Sequence, residues 1–353
     1  MAEGTGMATV GLDLGDRESH YHIIDSEGND AGRGTVRSTK GALAKLFGEL
    51  PRALVVMEVG THSPWVSEQL SAWHEVVVAN SRRTAALLKG MRKNDRSDAE
   101  MLARYGRADR RLLHPIQHRS VQVQQDRMVL ELRDGLVKAR TELVNQLRGL
   151  LKARGHRLTA KSYRTMAASV AELPVDLQAT VQPTLVAIAA LSESIREQDR
   201  RVEVLCERYP ATRVLRQVSG VGPVIALGYV LTIEDPGRFR RSRDVGAYLG
   251  MVPQQHESGD QQPQLRISKA GDKTLRRLLV QGAHYIVSRN GPDSDLKRWA
   301  EPRLARGGGN GKKRTIVAVA RKLCVLLHHL WVNGEVYEPL YQANRAKTLA
   351  ASA

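Results

Sequence analysis

The sequence predicts an α/β domain at the N-terminus, followed by long amphipathic helices and a basic, mainly helical remainder. Two observations support this prediction. Short apolar runs alternate with helical stripes over the first 110 residues, and the charge balance changes where they end. Residues 1–110 hold 15 basic and 15 acidic side chains, so the remainder carries the whole net charge of +17. A basic remainder suits a polyanionic partner, because binding to phosphates releases their counterions.

The N-terminal part is predicted to be a mixed sheet covered by helices. Buried apolar runs with turn residues between them indicate strands. Apolar residues at 42, 43, 46, 47 and 50 form a helical stripe. The resulting order, β-β-β-α-β-α-β-α, is typical of sheet-and-helix layers. The predicted strands are 8–15, 19–25, 31–37, 53–59 and 75–79, and the predicted helices are 40–50, 63–73 and 81–110, with a break near Gly90.

Four carboxylates are placed by these elements at one edge of the sheet. Asp13 and Glu58 each end a strand, and Asp95 and Asp98 open a helix with a spacing that puts them on one face. Sites in open α/β sheets gather at the carboxyl ends of strands. Each acid alone is more simply a solvated carboxylate, and acids in a first turn are favoured by the helix dipole. Four together favour Mg²⁺, with room for two ions about 4 Å apart.

Two long amphipathic segments between residues 116 and 207 predict an antiparallel coiled-coil hairpin. The looser stretch 155–183 joins them. The hairpin serves either oligomerisation or spacing, and its basic residues either contact nucleic acid or form a solvated face. The first stripe is Leu132, Leu136, Leu143, Leu147 and Leu150, the second is Leu185, Ile188, Leu191, Ile195, Val202 and Leu205, and the basic residues are Lys138, Arg140, Arg148, Lys152, Arg154 and Arg157.

The remainder contains a Gly-x-Gly turn between two predicted helices, at Gly220 and Gly222. Such a turn either binds a phosphate at the helix N-terminus, as in a helix-hairpin-helix, or serves close packing, and the residues alone favour neither. Basic runs follow at 238–243 and 312–314. The second run belongs to a glycine-rich loop that either orders on nucleic acid or is a linker. The candidate nucleic-acid-binding cations here are Arg240, Arg241, Lys312, Lys313 and Arg314.

Ser268 is a candidate nucleophile. It lies between Arg266 and Lys269, with Lys273 nearby, where a phosphate could dock. A serine just before a helix more often caps it, and a hydroxyl needs a base or a metal to become a strong nucleophile. No base lies nearby in sequence. The residues alone therefore favour capping over catalysis.

Several classes of protein are disfavoured. Cys206 and Cys324 form no CxxC pair, so neither a zinc knuckle nor a disulfide framework is indicated, and a reduced cytoplasmic setting is expected. The N-terminus lacks the pattern of a signal peptide. The apolar run 315–331 is interrupted by charges and is not expected to span a membrane. Aromatic residues make up 4%, which argues against base stacking as the main binding device.

The motifs taken in order resemble those of a known family, the DEDD-type transposases of a group of bacterial insertion sequences, which are bridge-RNA-guided serine recombinases. The resemblance covers nearly the whole chain. The matching motifs are Gly-Leu-Asp13-Leu-Gly, Met-Glu58-Val-Gly-Thr, Lys-Asn-Asp95-Arg-Ser-Asp98-Ala, Val-Ser-Gly220-Val-Gly222-Pro, Phe239, Tyr248-Leu-Gly-Met-Val-Pro253 and Arg266-Ile-Ser268-Lys-Ala-Gly271.

This resemblance implies an RNase H-like (RuvC-like) catalytic domain over 1–112, a coiled-coil insertion for oligomerisation and RNA contact over 113–208, a mostly α-helical transposase domain over 209–340 and a disordered tail over 341–353. It implies Mg²⁺ at the four acids and a phosphoserine link through Ser268. It also implies a structured guide RNA, donor and target DNA, and a dimer of dimers in which one subunit's acids serve another's serine. The family's Asp-x-x-Lys is Asp13-Leu-Gly-Asp16-Arg17 here, so Arg17 replaces the lysine and Asp16 is a rival ligand.

Three other functions compete with a recombinase. A junction-resolving nuclease uses the four acids but leaves Ser268 without a role. An actin-like ATPase or kinase shares the Gly-Leu-Asp-Leu-Gly motif but needs a second phosphate loop, which the basic helical half does not supply. A nucleic-acid-binding protein without activity fits the charge but not the acids. Mg²⁺-dependent strand transfer separates enzyme from binder, and a covalent protein–DNA adduct separates recombinase from nuclease.

Overall fold

A computed structural model describes residues 6–81, 83–84, 95–158, 163–254, 265–308 and 310–345. The chain divides into two compact units, Met1–Arg119 and Ser120–Ala353, called unit 1 and unit 2 below. Unit 1 contains a mixed sheet with helices, and unit 2 contains many helices. This confirms the prediction that an α/β part is followed by a helical part. The domain limits at 112, 208 and 340 remain predictions.

Unit 1 is built on a five-stranded mixed sheet in the order β3-β2-β1-β4-β5. Strand β2 pairs antiparallel with both β1 and β3, whereas β1 pairs parallel with β4 and β4 pairs parallel with β5. β1 and β4 are apolar along their length because both faces of the sheet are covered. The strands are β1 Thr9–Asp13, β2 Glu18–Ile24, β3 Asp30–Arg37, β4 Leu54–Glu58 and β5 Glu75–Ala79.

Helices cover both faces of this sheet. Helices α1, Lys40–Glu49, and α2, Ser63–Leu70, bury Phe47 and Leu70 against the face that carries Val10 and Met57. Helix α3, Asp95–Ala108, covers the opposite face, where Leu102 packs with Val56. A 3-10 turn, Arg110–Leu113, follows. The predicted break near Gly90 lies outside the described residues.

Unit 2 begins with two long helices that pack antiparallel. Helix α4 is Val121–Ala153, the short α5 is Tyr163–Ala171, and α6 is Val175–Arg208. The end of α4 packs against the start of α6, through Leu147 and Leu185, while Val123 packs near the end of α6. This agrees with the predicted antiparallel pair, and the coiled-coil geometry itself remains a prediction.

The buried face of α4 differs from the predicted stripe. Leu147 is buried, but Leu132 is 57% exposed and Leu150 is 63% exposed. The helix instead buries Val123 and Leu130 near its start, because these residues face α6 and the following helices. A stripe selected by spacing alone was therefore out of phase at these two leucines. The second stripe is largely correct, since the buried residues of α6 include Leu185, Ile188, Ile195, Val202 and Leu205.

The rest of unit 2 packs around three helices, α8, α10 and α12, which share one large apolar core. Tyr229 of α8 donates its hydroxyl to the carbonyl oxygen of Cys324 in α12 at 2.8 Å. Both cysteines are buried free thiols. The helices are α7 Ala211–Leu215, α8 Pro223–Ile233, α9 Asp244–Tyr248, α10 Lys273–Ile286, α11 Asp295–Ala305 and α12 Gly311–Asn333, with a 3-10 turn at Pro236–Arg238.

Helix α12 is long and apolar enough to cross a membrane by length and composition alone, so the sequence argument from interrupting charges was not sufficient. Half of its most apolar window is buried within the fold, which is the pattern of a core helix. Residues 335–345 fold back on α11, where the Asp295 carboxylate accepts from the amide of Gln342 at 2.7 Å. The predicted disordered tail is therefore ordered as far as residue 345.

Candidate functional site

Asp13 and Glu58 are neighbours at the carboxyl edge of the sheet in unit 1. Leu12 of β1 is in register with Met57 of β4, so the next residue on each strand, Asp13 and Glu58, is also side by side. Parallel strands lie about 4.8 Å apart, and residues in register project from the same face. The two predicted acids thus share one edge and one face.

That face is the one that helix α3 covers. Gly11 and Asp13 are two residues apart on β1, so they lie on the same face of the sheet. A Cβ atom on Gly11 would collide with the carbonyl oxygen of Ala99 in α3, so helix and strand are in backbone contact there. Further along α3, a Cβ on Gly106 would lie 3.5 Å from Thr9 at the start of β1. Helix α3 therefore runs antiparallel to β1, with its first turn toward the end that carries Asp13.

The first turn of α3 contains the other two acids. Asp98 is half-buried and precedes Ala99, the residue in contact with Gly11. Asp95 begins the helix, and its side chain lies outside the described residues. Backbone placement therefore brings Asp13, Glu58 and the turn with Asp95 and Asp98 to one corner of the sheet. Glycine at position 11 is needed for this close approach.

Glu58 already has one oriented oxygen. Its Oε1 accepts from the buried hydroxyl of Thr84 at 2.9 Å, and the same hydroxyl lies 3.2 Å from the carbonyl oxygen of Asn80. This contact fixes the direction of the carboxylate. Within the described side chains, no three His, Cys, Asp or Glu gather closely enough to hold a metal ion. Carboxylate oxygens are nonetheless the donors that Mg²⁺ prefers, so the chemistry of the set fits that ion.

Asp16 and His62 form the rim of this edge. Asp16 follows β1, and its carboxylate is 94% exposed, 3.5 Å from Nε2 of His62 in the loop after β4. Trp65 donates its indole N–H to Nδ1 of His62 at 3.2 Å. Because an indole only donates, Nδ1 accepts and Nε2 carries the proton that faces Asp16. Asp16 is thus turned to a histidine on the rim, and Arg17 beside it is exposed.

The sequence analysis assigned no role to His62 or Trp65, although a histidine and a tryptophan within seven residues of Glu58 were a visible signal. Ser63, which follows His62, is buried, and its hydroxyl oxygen lies 3.0 Å from Nε2 of His118. Burial, and secondly the charge of Arg119, lower the pKa of His118 below its usual value. His118 therefore anchors the end of unit 1 to the start of α2 in its neutral form.

Ser268 lies in a tight loop of unit 2. Its amide donates to the carbonyl oxygen of Val252 at 2.8 Å, and Lys269 donates to Gly250 at 3.0 Å. Lys269 has a φ of 54°, a left-handed conformation that costs a side-chain-bearing residue roughly 1 to 2 kcal/mol. The loop is also clamped by Arg276, which donates to the carbonyl oxygen of Ala270 at 2.6 Å. The position of Ser268 is therefore strongly constrained.

Helix capping, the role that the residues alone favoured for Ser268, belongs to Asp272. The Asp272 carboxylate accepts from the amide of Leu275 at 2.8 Å at the start of α10. Its other oxygen pairs with Arg127 of α4 at 2.8 Å, and Arg127 also donates to Thr232 at 2.9 Å. Ser268 lies too far upstream to cap. Its hydroxyl accepts only a long contact, 3.4 Å, from the amide of Ala270 among the described residues.

The two glycines of the Gly-x-Gly turn have different surroundings. Gly220 has a φ of 89°, and a Cβ there would lie 3.0 Å from the carbonyl oxygen of Gly282 in α10. Gly220 is therefore needed for packing. Gly222 is exposed and precedes α8 without a capping side chain, so phosphate binding there stays a prediction. The predicted nucleic-acid-binding cations are all exposed, namely Arg240, Arg241, Arg266, Lys269, Lys273, Lys312, Lys313 and Arg314.

Carboxylates at the edge of a mixed sheet, and a constrained serine among exposed cations, fit a class of protein that acts on the phosphates of nucleic acids. Comparison with known proteins agrees. Residues 10–156 match a DEDD transposase family model of the IS110 type, described as "Transposase". Residues 212–298 match the model described as "Transposase IS116/IS110/IS902 family". The two matches include all four acids and Ser268.

Relatives match over most of their length. A probable family 20 transposase of Pseudomonas aeruginosa is 29% identical over 94% of this chain and 99% of its own. The transposase for insertion sequence element IS1111A of Coxiella burnetii is 31% identical over 69% of this chain and 68% of its own. The transposase for element IS1328 of Yersinia enterocolitica is 28% identical over 93% and 98%. The chain belongs to the IS116/IS110/IS902 family of insertion-sequence transposases, which are enzymes that cut and rejoin DNA.

Proposed function

We propose that this transposase is an RNA-guided DNA recombinase that cuts and rejoins donor and target strands through a phosphoserine intermediate at Ser268. Asp13, Glu58, Asp95 and Asp98 form its acid set. The observation that carries the proposal is the register of β1 and β4, with Asp13 beside Glu58 and the first turn of α3 over the same corner. The strand order β3-β2-β1-β4-β5, with only β2 antiparallel to the rest, supports an RNase H-like (RuvC-like) catalytic domain.

The acid set would hold Mg²⁺. When bound, the metal supplies charge stabilisation to the oxygens that are exchanged at phosphorus and makes a hydroxyl easier to deprotonate. The protein's own contribution is orientation. The Thr84 hydroxyl fixes one oxygen of Glu58, and the backbone contact between Gly11 and Ala99 fixes the height of α3 above the sheet. Preorganised carboxylates cost little rearrangement during the reaction.

Ser268 is the proposed nucleophile. Its Oγ forms a bond to phosphorus while the bond from phosphorus to a DNA oxygen breaks, and the serine proton ends on the released DNA hydroxyl. One phosphodiester replaces another, so the reverse attack by a DNA hydroxyl rejoins strands without ATP. The strained Lys269 and the Arg276 clamp support this role, because strain is often retained where a side chain must be aimed. Arg266, Lys269 and Lys273 are exposed for phosphate contact.

A structured guide RNA, donor DNA and target DNA are the proposed partners, and a homodimer that pairs into a dimer of dimers is the proposed active form. The basic excess beyond residue 110 supports a polyanionic partner. The cytoplasm, at the nucleoid, is the proposed location, which suits the two free thiols. A junction-resolving nuclease is the remaining alternative within this chemistry, since it uses the acids without the serine.

The experiment is denaturing electrophoresis of end-labelled donor DNA after incubation with the full-length protein, its copurified RNA and Mg²⁺. A recombinase gives a protein-linked band and joined products. Cleavage with no protein-linked band would support the nuclease instead. A protein-linked band that persists in Ser268→Ala would remove Ser268 from the mechanism, and strand transfer without RNA would refute guidance.

A further inference from the structure

The arginines of unit 2 differ in whether a carboxylate lies within ion-pair distance of them. On the long helices, several arginines pair with carboxylates, as in Arg208 with Asp126 at 2.9 Å and Arg200 with Glu197 at 2.6 Å. The arginines of the loop after α8 differ. Within the described part of the chain, none of Arg238, Arg240, Arg241 and Arg243 lies within ion-pair distance of a carboxylate. The loop therefore presents four arginines whose charge is not balanced by a carboxylate of the described residues.

A buried histidine of α12 forms hydrogen bonds with this loop. His328 of α12 is 1% exposed. Its Nε2 lies 3.0 Å from the carbonyl oxygen of Pro236, and its Nδ1 lies 3.0 Å from the hydroxyl of Ser242. A carbonyl only accepts, so Nε2 carries the proton, and in the neutral ring Nδ1 accepts from Ser242. One side chain thus ties both ends of the loop to α12.

Aromatic packing fixes the middle of the loop. The Phe239 ring packs edge-on against His328, with ring centroids 5.6 Å apart, and against Tyr248 at 5.3 Å. The Arg238 guanidinium lies over the Phe239 ring at 5.5 Å and over Tyr248 at 5.1 Å. These contacts order the backbone on which like charges would otherwise repel one another. Because the loop backbone is ordered before binding, less conformational entropy is lost when a ligand binds.

A fifth arginine extends this surface. Arg321 lies two helical turns before His328 on α12, and a Cβ on Gly246 of α9 would lie 3.2 Å from its Cγ. Arg321 is exposed. It therefore lies against the short helix that follows the loop. We define the arginine surface as Arg238, Arg240, Arg241, Arg243 and Arg321.

We propose that the arginine surface binds the phosphate backbone of duplex DNA and that His328 is its positioning residue. The proposal deepens the DNA-binding part of the proposed function. Guanidinium groups bind phosphates bidentately and keep their charge at any working pH. The loop contains no asparagine or glutamine. Its two acids already accept backbone hydrogen bonds, Glu234 from the amide of Ser120 at 3.0 Å and Asp235 from the amide of Gly237 at 2.8 Å, and Ser242 is engaged by His328. Affinity should therefore depend steeply on salt and little on sequence.

The first test compares two triple variants of the full-length protein that lose the same charge. One is Arg240→Gln/Arg241→Gln/Arg243→Gln on the loop. The matched control is Arg196→Gln/Arg200→Gln/Arg201→Gln on α6, where all three arginines are exposed and ion-paired. Binding of a labelled duplex of unrelated sequence is measured by fluorescence anisotropy without Mg²⁺ between 50 and 200 mM salt, conditions in which about three fewer phosphate contacts lower the salt slope by roughly 3.

The loop variant should bind at least about tenfold more weakly with that reduced slope, whereas the control should change by less than about twofold. Equal weakening in both variants would show that only net charge matters and would overturn the proposal. Weakening for a structured RNA but not for duplex DNA would overturn the assignment to DNA. Because no strand transfer is measured, failure of the serine chemistry leaves this test unaffected.

The second test concerns His328. His328→Leu removes both hydrogen bonds, and Ser242→Ala removes one of them without altering the core. Both should weaken DNA binding while leaving every arginine in place, and the loop triple variant should lose less affinity in the His328→Leu background than alone. A merely structural role for His328 would leave the two effects additive at temperatures where the protein is folded. Additivity, together with normal binding by Ser242→Ala, would overturn the positioning role.

Discussion

The Asp272 carboxylate caps helix α10 through the amide of Leu275 at 2.8 Å, and it thereby leaves the Ser268 hydroxyl, four residues upstream, free of that task. The two residues belong to one short segment but have different roles. Asp272 anchors the segment, and Ser268 is presented by it. Mutations at the two positions should consequently separate stability from chemistry.

Asp272→Ala should destabilise unit 2 by about 2 to 4 kcal/mol, because it removes a helix cap and leaves the partly buried Arg127 with only the longer, more exposed contact to Glu131 at 3.6 Å. Ser268→Ala should change stability by less than about 0.5 kcal/mol and should abolish the protein–DNA adduct while DNA binding persists. Urea denaturation and denaturing electrophoresis provide the two readouts. A loss of stability in Ser268→Ala as large as that in Asp272→Ala would contradict the assignment of the cap.

Asp13→Asn should lower strand transfer at least a hundredfold while duplex DNA binding stays within about twofold, since the amide keeps the volume but loses the charge that binds a cation. Glu58→Gln should behave alike. Glu49→Gln, on the exposed end of α1, is the control and should transfer strands normally. Gel assays of joined products measure the rate. Normal transfer by Asp13→Asn would refute the acid site.

Gly11→Ala should destabilise unit 1 by about 3 kcal/mol or more, because the new methyl group meets the backbone of Ala99 rather than a movable side chain. Gly48→Ala is the matched control. Gly48 lies within α1, where a Cβ meets nothing within 4 Å, so the change should stabilise by about 1 kcal/mol. Thermal unfolding followed by circular dichroism distinguishes the two. A tolerated Gly11→Ala would mean that α3 lies further from β1 than described.

The stability of unit 1 should fall as the pH drops below about 6.5, the pKa of an unperturbed histidine. Burial lowers the pKa of His118 in the folded state, so below that pH the unfolded chain takes up a proton that the folded chain does not. The lost stability should therefore accumulate between about 6.5 and the lower folded pKa. Urea denaturation of the wild type and of His118→Gln between pH 7.5 and 5.5 measures it.

His118→Gln should show a shallower pH dependence than the wild type. His114→Asn is the control, since His114 is exposed and its left-handed φ of 44° suits asparagine. This control should keep the wild-type dependence. Identical pH profiles for His118→Gln and the wild type would show that His118 is not the group responsible.

Local patterns predicted much of unit 1. The strand 75–79 was predicted to the residue, and Asp13 and Glu58 end their strands as expected, because buried strands are continuous apolar runs bounded by polar residues. The antiparallel pair of α4 and α6 also followed from periodicity. The pattern did not indicate which face of α4 is buried. Leu132 and Leu150 repeat at helical spacing, yet which face is buried depends on distant partners such as Leu227.

Roles that depend on atoms far apart in sequence were not predictable. Ser268 precedes a helix and resembles a cap, but the position of the first helical turn, set by the packing of α10, gives that role to Asp272. The pairing of Asp272 with Arg127 spans 145 residues, so no local spacing indicates it. His328 was visible only as an interruption of an apolar run, because its partners Pro236 and Ser242 are remote in sequence.

The hydrogen bond from Arg127 to Asp272 joins the long helix α4 to the segment that contains Ser268. Arg127 lies in the second turn of a helix of 33 residues, which is about 50 Å long. Arg127 is close to the start of this helix, and it donates a hydrogen bond to Asp272, which belongs to the same short segment as Ser268. We therefore expect that a partner bound at the far end of α4 and α6 changes the position of the segment that contains Ser268.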